Sequence, residues 1–206
     1  LTLPLVTTSG GVKYGKSAGN AVWLSADMTS PYHLYQFILN TADADVEKLF
    51  LQLTLLSPNE VSSVVAEHAL APHTRAGQRR LAQEIVPIVH GRAIMERAEA
   101  ASAALFRGDA LEIFDAGDLR DMFAHAPAKF RELPTRETTI SLVDLALDVG
   151  LFPSKKQARR AIAAGGFYVN NVRVDQERPL SSRDVLHNAV TVLRSGKRQY
   201  IVVKWN

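Results

Sequence analysis

The hydrophobic pattern of this 206-residue chain changes near residue 139. From residue 31 up to that point, apolar residues recur mainly at the spacing of amphipathic helices. Beyond it, Ser141 and Ser154 each begin a short helical segment, and the runs FYVNNVRV and AVTVLRSGKRQYIVVKW then have the composition of β-strands. The sequence therefore predicts a mainly α fold that ends in a small α+β domain of two helices and an antiparallel sheet.

Capping residues and helix breakers predict where the helices begin and end. Ser30 precedes a proline, which is a favourable start for a helix, and Ser57 with Glu60 forms a capping box for a later one. Pro87 and Gly91 divide the long periodic segment after residue 74 into two helices.

Short polar pairs predict two hairpin turns in the C-terminal part. Asn170 and Asn171 both tolerate the positive φ that a tight turn requires, and Ser195 is followed by Gly196. A further short helix is predicted to follow Asp118. The segment AHAPAKFRELPTRET contains two prolines and is typical of a linker. We therefore predict four regions, namely residues 1–30 with a glycine-rich loop, a helical domain at 31–127, a linker at 128–138 and the α+β domain at 139–206.

The charge of the chain is unevenly distributed. Residues 1–135 contain 12 Lys and Arg against 15 Asp and Glu, a net −3, whereas residues 136–206 contain 12 against 6, a net +6. A basic C-terminal part predicts an anionic partner, and nucleic acid is favoured over a membrane because no amphipathic apolar stripe accompanies the charge. The alternative is an ordinary solvated surface.

Composition excludes several classes of protein. The chain has no cysteine, so it forms neither a disulfide framework nor a thiolate zinc site. It has no run of eighteen apolar residues, and its first residues, LTLPLV, lack a basic leader, so we expect a cytoplasmic protein without a membrane span or signal peptide. Because the chain begins with Leu1 rather than Met, we expect it to be a fragment of a longer protein.

Residues 10–17, GGVKYGKS, satisfy the pattern G-x-x-x-x-G-K-[ST] of phosphate-binding loops. In nucleotide hydrolases that loop follows a buried strand and opens into a helix whose amides face the phosphates. Here AGNAVWL follows, and its residues favour strand or irregular structure over helix. The hydrolase interpretation is therefore the least favoured, and a solvated surface loop remains an alternative.

The stretch KYGKS resembles the second signature loop of class I aminoacyl-tRNA synthetases, in the form found in bacterial-type tyrosyl-tRNA synthetases. GNAVWL, then TSPYHLYQFILNTADADV, then the terminal helices and hairpin resemble consecutive parts of the same family, so the resemblance covers essentially the whole chain. Two departures are conservative: Tyr14 stands where the family often has Phe, and Ser17 stands where Thr is common.

The resemblance implies a role for the loop in activating tyrosine with ATP, with Mg²⁺ accompanying the ATP. Lys16 would be the principal contact to the ATP phosphates and Lys13 would assist it. Gly15 would allow close approach of the backbone, and the Ser17 hydroxyl would donate a hydrogen bond. The catalytic residues implied are thus Lys13 and Lys16, and the partners implied are tyrosine and tyrosine tRNA.

The resemblance also shows what these 206 residues lack. The family's Rossmann-like catalytic fold and its His-x-Gly-His signature lie upstream, so only the terminal loop of that fold is present and we expect no aminoacylation by the chain alone. Residues 31–127 correspond to the family's α-helical domain on the anticodon side of the tRNA, and the homodimer surface is expected upstream. His68 and His73 are five residues apart, which is not the spacing of two ligands on one helical face, so no metal site is predicted.

The segment SKKQARRAIAAGGFYVNNVRV resembles the S4-type RNA-binding module. Lys155 and Arg159 are four residues apart, as are Lys156 and Arg160, so two basic ridges share one helix, while Ala158 and its neighbours face the core. No acidic residue lies within this segment, which favours an RNA-binding surface over a charged solvent face. The predicted RNA-binding residues are Lys155, Lys156, Arg159, Arg160, Arg173, Lys197 and Arg198.

Two further possibilities stay open at this level. Phe167 and Tyr168 are candidates for stacking on bases, although one of two successive strand residues usually faces the core. A stand-alone S4-domain RNA-binding protein without catalysis is the main alternative to a synthetase.

Overall fold

A computed structural model of the protein describes residues 5–17, 20–109, 111–124, 127–131, 140–196 and 199–206, with only the backbone at Lys16, Ser17, Asn20, Phe106 and Arg107. The chain divides into two compact units, Leu1–Ser102 and Ala103–Asn206. The described part is mostly helical with a small sheet, which confirms the predicted fold class at that level. None of the described helices is long and apolar enough to cross a membrane.

The first unit contains a short hairpin followed by helices. Strands β1 (Lys16–Ser17) and β2 (Asn20–Ala21) are antiparallel. The helices are α1 (Pro31–Leu39), α2 (Asp43–Leu53), α3 (Pro58–Leu70), α4 (Ala76–His90) and α5 (Arg92–Arg107), which contains the division between the units. Their buried residues form one core, with Tyr35, Leu49, Phe50 and Leu81 at most 1% exposed.

The predicted helix starts and the predicted break at Gly91 are confirmed in this unit, but Pro87, predicted to divide the segment together with Gly91, lies inside a helix. The Ser30 hydroxyl accepts a hydrogen bond from the backbone N–H of His33, and the Ser57–Glu60 capping box is complete. Helix α4 contains Pro87 in its last turn and ends at Gly91, whose φ of 88° stops the helix before α5 begins.

The second unit is built around a five-stranded sheet. Helices α6 (Ala116–Met122), α7 (Leu142–Asp148) and α8 (Lys155–Ala163) accompany strands β3 (Ala128–Arg131), β4 (Phe167–Val169), β5 (Val172–Arg173), β6 (Val190–Ser195) and β7 (Gln199–Trp205). The strand order is β3-β7-β6-β4-β5, with β3 parallel to β7 and the other pairs antiparallel. One face of this sheet and the apolar sides of α7 and α8 form the core.

Three predictions in this unit need correction. The sheet, predicted to be antiparallel, is mixed, because β3 joins it parallel to β7. Residues 128–131, predicted as the start of a linker, instead form β3, because their backbone groups find partners on the edge of β7. The rest of the predicted linker lies outside the described residues. Helix α6 begins three residues earlier than predicted, since Asp115 is its N-cap and Asp118 completes the capping box from inside the helix.

The predicted turn at Asn170–Asn171 is confirmed. The two residues have φ of 50° and 65° and join β4 to β5. The hairpin of β6 and β7 is also present, with Gly196 at φ 60°, but Lys197 and Arg198 lie outside the described residues.

The buried carboxylate of Asp184 connects three segments of the second unit. Arg178 donates two hydrogen bonds to it, at 2.6 and 2.7 Å, and Ser181 donates two more from its backbone N–H and hydroxyl. The Asp184 carbonyl accepts from Asn170 Nδ2 at 2.8 Å and from Thr191 Oγ1 at 2.7 Å. Asp184 therefore joins the segment at 178–181 to the β4–β5 turn and to β6.

Hydrogen bonding decides the charge state of this carboxylate. Burial by itself raises the pKa of Asp184, but the hydrogen bonds from Arg178 and Ser181 outweigh burial and lower that pKa below its usual value. The carboxylate is therefore ionised at neutral pH and balances the Arg178 guanidinium.

We expect Asp184→Asn to destabilise the second unit by about 2–3 kcal/mol, because the substitution breaks the hydrogen bonds around a buried carboxylate and replaces one of its acceptor oxygens with a donor. The measurement is urea unfolding followed by fluorescence of Trp205, whose buried indole N–H donates to Thr191 at 2.9 Å. A Trp23→Phe background removes the chain's other tryptophan. Asp148→Asn is the control, since the Arg131–Asp148 pair is exposed, and an equal loss in both variants would contradict the prediction.

The same carboxylate predicts a dependence on pH. A lowered folded-state pKa stabilises the fold fully above the unfolded-state pKa of about 3.9, and this stabilisation is lost as the pH falls through the lower folded-state value. We expect the Trp205 unfolding midpoint to fall between about pH 5 and about pH 3, and to fall less in Asp184→Asn. Parallel curves for the two proteins would show that other groups cause the acid sensitivity.

Candidate nucleotide and RNA sites

The glycine loop lies within two consecutive turns of the chain. Thr7 and Lys13 pair as an antiparallel bridge, and Gly11 makes the turn between them with φ of 77°. The chain then turns at Gly15, with φ of 79°, into β1 and β2. Ser17 therefore leads into a strand pair, as predicted, and not into the helix that a hydrolase phosphate loop requires.

Helix α2 holds the first of these turns in place. Lys48 donates from Nζ to both the carbonyl and the hydroxyl of Thr7, at 2.8 Å each. The backbone N–H of Ser9 donates to the Asp45 carboxylate, which is buried. An ammonium and a carboxylate one turn apart on one helix thus fix the two sides of the turn.

Tyr14 adds an aromatic anchor from the middle of the loop. Its ring lies 4.9 Å from the Phe37 ring in α1, and its hydroxyl is 2.9 Å from Thr41 Oγ1. Burial raises the pKa of the Tyr14 phenol, so the hydroxyl stays neutral and serves as a hydrogen-bonding group. Tyr14, which stands where the family often has Phe, therefore has a hydrogen-bond partner for its hydroxyl in Thr41.

The predicted nucleotide-binding residues surround this anchored tyrosine. Lys13 is exposed, and among the described residues no carboxylate pairs with it. A Cβ at Gly15 would meet nothing within 4 Å, but its positive φ still favours glycine. The side chains of Lys16 and Ser17 lie outside the described part, so their roles stay predictions.

Helix α8 presents the predicted basic surface. The Ser154 hydroxyl accepts from the backbone N–H of Gln157, which begins the helix as predicted. Ala158 and Ile162 are buried in the core of the second unit. The four cationic side chains of the helix are exposed, namely Lys155, Lys156, Arg159 and Arg160.

Acidic residues from other segments pair with one of the two predicted ridges. Lys155 Nζ lies 2.6 Å from Asp144 Oδ1 of α7, and Arg159 Nε lies 2.8 Å from Glu177 Oε2. The hydrogen bond from Arg159 lowers the pKa of Glu177, so this carboxylate is ionised at neutral pH. The lack of acidic residues within the segment did not predict this pairing, because Asp144 and Glu177 lie on either side of the segment in the chain.

The other ridge consists of Lys156 and Arg160. No acidic partner of Lys156 or Arg160 occurs in the described part of the chain. Arg173 is paired with Asp175 at 3.1 Å, and its guanidinium lies against Gly165, where an added Cβ would come within 2.3 Å of Arg173 Cζ. The structure thus separates a neutralised ridge from a free one on the same helix.

The two aromatic candidates have different surroundings. Phe167 is fully buried and packs edge-on against Phe152, with ring centroids 5.5 Å apart. Tyr168, on the opposite face of β4, is covered by Arg194, whose Cζ lies 4.0 Å from the ring centroid. Base stacking on Phe167 is therefore excluded by its burial.

Several polar side chains of the helical unit have structural partners. Arg75 donates to the Leu39 carbonyl at 2.8 Å, and Arg80 pairs with Glu84 at 2.7 Å. His68 is buried with its Nε2 3.1 Å from Asp43 Oδ1. Within the described residues, no group of three His, Asp or Glu side chains is placed to hold a metal ion.

Two family models match the chain in order. Residues 1–107 match the family described as tRNA synthetases class I (W and Y). Residues 118–203 match the tyrosine–tRNA ligase SYY-like C-terminal domain. The first match covers more than half of the chain.

Individual relatives agree with these matches. The chain is 40% identical over 206 residues to a tyrosine–tRNA ligase of Lactococcus lactis subsp. lactis and 42% identical to one of Bacillus pumilus. All of this chain is covered in both comparisons, and it spans 48% of each relative. A C-terminally truncated mitochondrial tyrosyl-tRNA synthetase of Coccidioides posadasii is 39% identical over 48% of this chain and 26% of that one, with a TM-score of 0.43.

The family assignment depends on the sequence matches, which extend from the glycine loop through the basic helix to the last strand. They confirm the resemblance stated from KYGKS and from the terminal module. The chain therefore belongs to the class I tRNA synthetases (W and Y), and within them to the tyrosyl-tRNA synthetases.

Proposed function

We propose that this chain is part of a tyrosine–tRNA ligase and supplies its ATP-phosphate loop and a tRNA-binding surface. The observation that carries the proposal is the ordered match of two family models, one containing the loop and one containing the basic helix. The chain spans about half the length of its relatives, so tyrosine recognition is assigned to residues outside it. Subunit pairing is assigned to residues outside it as well.

The loop would act in the first step of the reaction. A carboxylate oxygen of tyrosine attacks the α-phosphorus of ATP, a P–O bond forms, and the bond to the departing pyrophosphate breaks. Negative charge shifts onto phosphate oxygens during this step. Ammonium groups that bind these oxygens more strongly in the transition state than in the ground state would accelerate the reaction. We assign the principal contact to Lys16 and a supporting contact to Lys13.

The anchoring contacts suit such a loop. Lys48 and Asp45 hold the turn before Lys13, while Tyr14 fixes the chain between the two lysines. A loop backbone held in this way would limit the conformational entropy lost when the lysines meet the phosphates. Gly15 and Ser17 would contribute backbone approach and a hydroxyl donor. Mg²⁺ would arrive bound to ATP, and we assign it no ligand on this chain.

The free ridge of α8 would bind tRNA phosphates. Lys156 and Arg160 have no competing acid among the described residues, so phosphate oxygens would be their strongest partners. Lys155, Arg159 and Arg173 already hold carboxylates and would contribute less. Lys197 and Arg198 remain proposed contacts from the β6–β7 hairpin. The match of residues 1–107 to a synthetase family favours this function over a stand-alone RNA-binding protein.

We expect Lys16→Ala to slow formation of tyrosyl-adenylate by about a hundred- to a thousandfold, because one positioned donor to the developing charge is lost. The measurement is tyrosine-dependent exchange of pyrophosphate into ATP. It uses a chimaera in which this chain replaces the corresponding 206-residue segment of the Lactococcus lactis enzyme.

The unsubstituted chimaera provides the reference rate for this experiment. Lys129→Ala is the matched control, because it removes an exposed lysine of β3 that has no assigned role. An exchange rate in Lys16→Ala equal to that of the control would contradict the role of Lys16.

We expect the double substitution Lys156→Gln with Arg160→Gln to reduce the salt dependence of tRNA binding, lowering the log–log slope by about two. Each free cation releases about one counterion when it meets a phosphate. The measurement is fluorescence anisotropy with a tyrosine tRNA transcript and the 206-residue chain over a series of salt concentrations.

The matched control removes an ion pair without changing the net charge, by combining Lys155→Gln with Asp144→Asn. We expect its slope to equal that of the unsubstituted chain. Equal reductions in the two double variants would show that the ridges do not differ, and absence of binding to tRNA would overturn the proposed surface.

A further inference from the structure

A groove in the second unit is not part of the loop or of the α8 surface. It has a volume of about 580 Å³, which lies within the range of pockets that hold small ligands. Its lining residues are Glu112, Val169, Asn170, Val172, Arg178, Pro179, Ser181, Ser182, Arg183 and Asp184. All of them belong to the second unit.

The wall of the groove is rigid. Arg178, Ser181 and Asp184 are joined by the hydrogen bonds described above. Asn170 is 2% exposed, and its amide donates to the Asp184 carbonyl and accepts from the backbone N–H of Val192, both at 2.8 Å. These polar groups are satisfied within the protein, so they shape the groove and are not its ligand-binding atoms.

Two ionisable side chains of the groove remain available. Glu112 and Arg183 are both exposed, and neither has an ion pair or side-chain hydrogen bond within the described residues. Val172, which is 53% exposed, and Pro179 contribute apolar surface beside them. The groove therefore combines an apolar surface with one free acceptor and one free cation.

This combination fits a nucleotide better than a bare phosphate backbone. An aromatic base packs on apolar side chains, and Arg183 pairs with the phosphate of the same nucleotide. The Glu112 carboxylate repels phosphate but accepts hydrogen bonds, so it selects a base edge that carries donors. Guanine presents two adjacent donors, N1–H and the N2 amino group, which match the two oxygens of one carboxylate.

The groove also adjoins the proposed tRNA surface along the chain. Glu177 binds Arg159 of α8, and Arg178, the next residue, lines the groove. Part of the groove wall therefore begins one residue after an acidic partner of the paired ridge of α8. No sequence motif singled out Glu112 or Arg183, because they are brought together only by the fold.

We propose that this groove binds an unpaired guanosine nucleotide of the RNA, with Glu112 accepting from the base and Arg183 contacting the phosphate. This inference rests on the proposed tRNA-binding function and adds a base-specific contact to it. Phosphate contacts along α8 would supply affinity, and the groove would supply sequence preference.

The test measures binding of the 206-residue chain to labelled nine-nucleotide uridine strands that carry a central guanosine, adenosine, cytidine or uridine. We expect the guanosine strand to bind about tenfold more tightly than the other three. Glu112→Gln should abolish that preference, because the amide replaces one acceptor oxygen with a donor. Affinity for the all-uridine strand should rise, because a carboxylate that repels phosphate is removed. Arg183→Gln should weaken the binding of all four strands and lower the log–log slope of affinity against salt concentration by about one.

Glu47→Gln is the charge-matched control, since Glu47 is an exposed residue of helix α2 in the other unit. Trp205 fluorescence shows whether each variant remains folded. Equal affinity for all four strands, or failure to bind any of them, would overturn the guanosine site. Salt-dependent binding of tyrosine tRNA in the same preparation would leave the proposed function intact, and its absence would overturn both.

Discussion

The ion pair of Arg178 with the buried Asp184 organises the second unit. A carboxylate with 8% side-chain exposure is costly unless hydrogen bonds replace its lost water, and here Arg178 and Ser181 supply four of them. The carbonyl of Asp184 also accepts hydrogen bonds from the side chains of Asn170 and Thr191. The β4–β5 turn, strand β6 and the segment at 178–181 are therefore held in one arrangement, and this arrangement forms the wall of the groove.

Charge pairing also divides the surface of helix α8. Lys155 forms an ion pair with Asp144, and Arg159 forms one with Glu177. These pairs connect the helix to neighbouring segments. Such exposed pairs contribute little to stability, but they leave these cations less available for a phosphate. In the proposed function, the ridge of Lys156 and Arg160 is therefore the part of α8 that binds RNA most strongly.

The lysines at the glycine loop of the first unit also differ in whether they bind other protein groups. Lys48 binds the backbone of the turn and is thus a structural cation, whereas Lys13 is exposed. Tyr14 lies between the two lysines of KYGKS and packs on Phe37, so the loop has a fixed centre. In the proposed function, a loop held in this way suits a site that stabilises charge developing on phosphate during the reaction.

Local patterns in the sequence determined the helix starts at Ser30, Ser57 and Ser154, the break at Gly91, and the turn at Asn170–Asn171. Each depends on interactions within a few residues, so neighbouring sequence is sufficient. The order of motifs likewise determined the family.

Only the tertiary structure decided that Ala128–Arg131 join the sheet, that Asp144 and Glu177 neutralise one ridge, and that Glu112 shares a groove with Arg183. Glu112 and Arg183 are 71 residues apart in the chain, and strand β3 pairs with residues more than 70 positions away. Edge-strand pairing, ion pairs and grooves arise between distant segments, and their energies depend on distances that no local pattern contains.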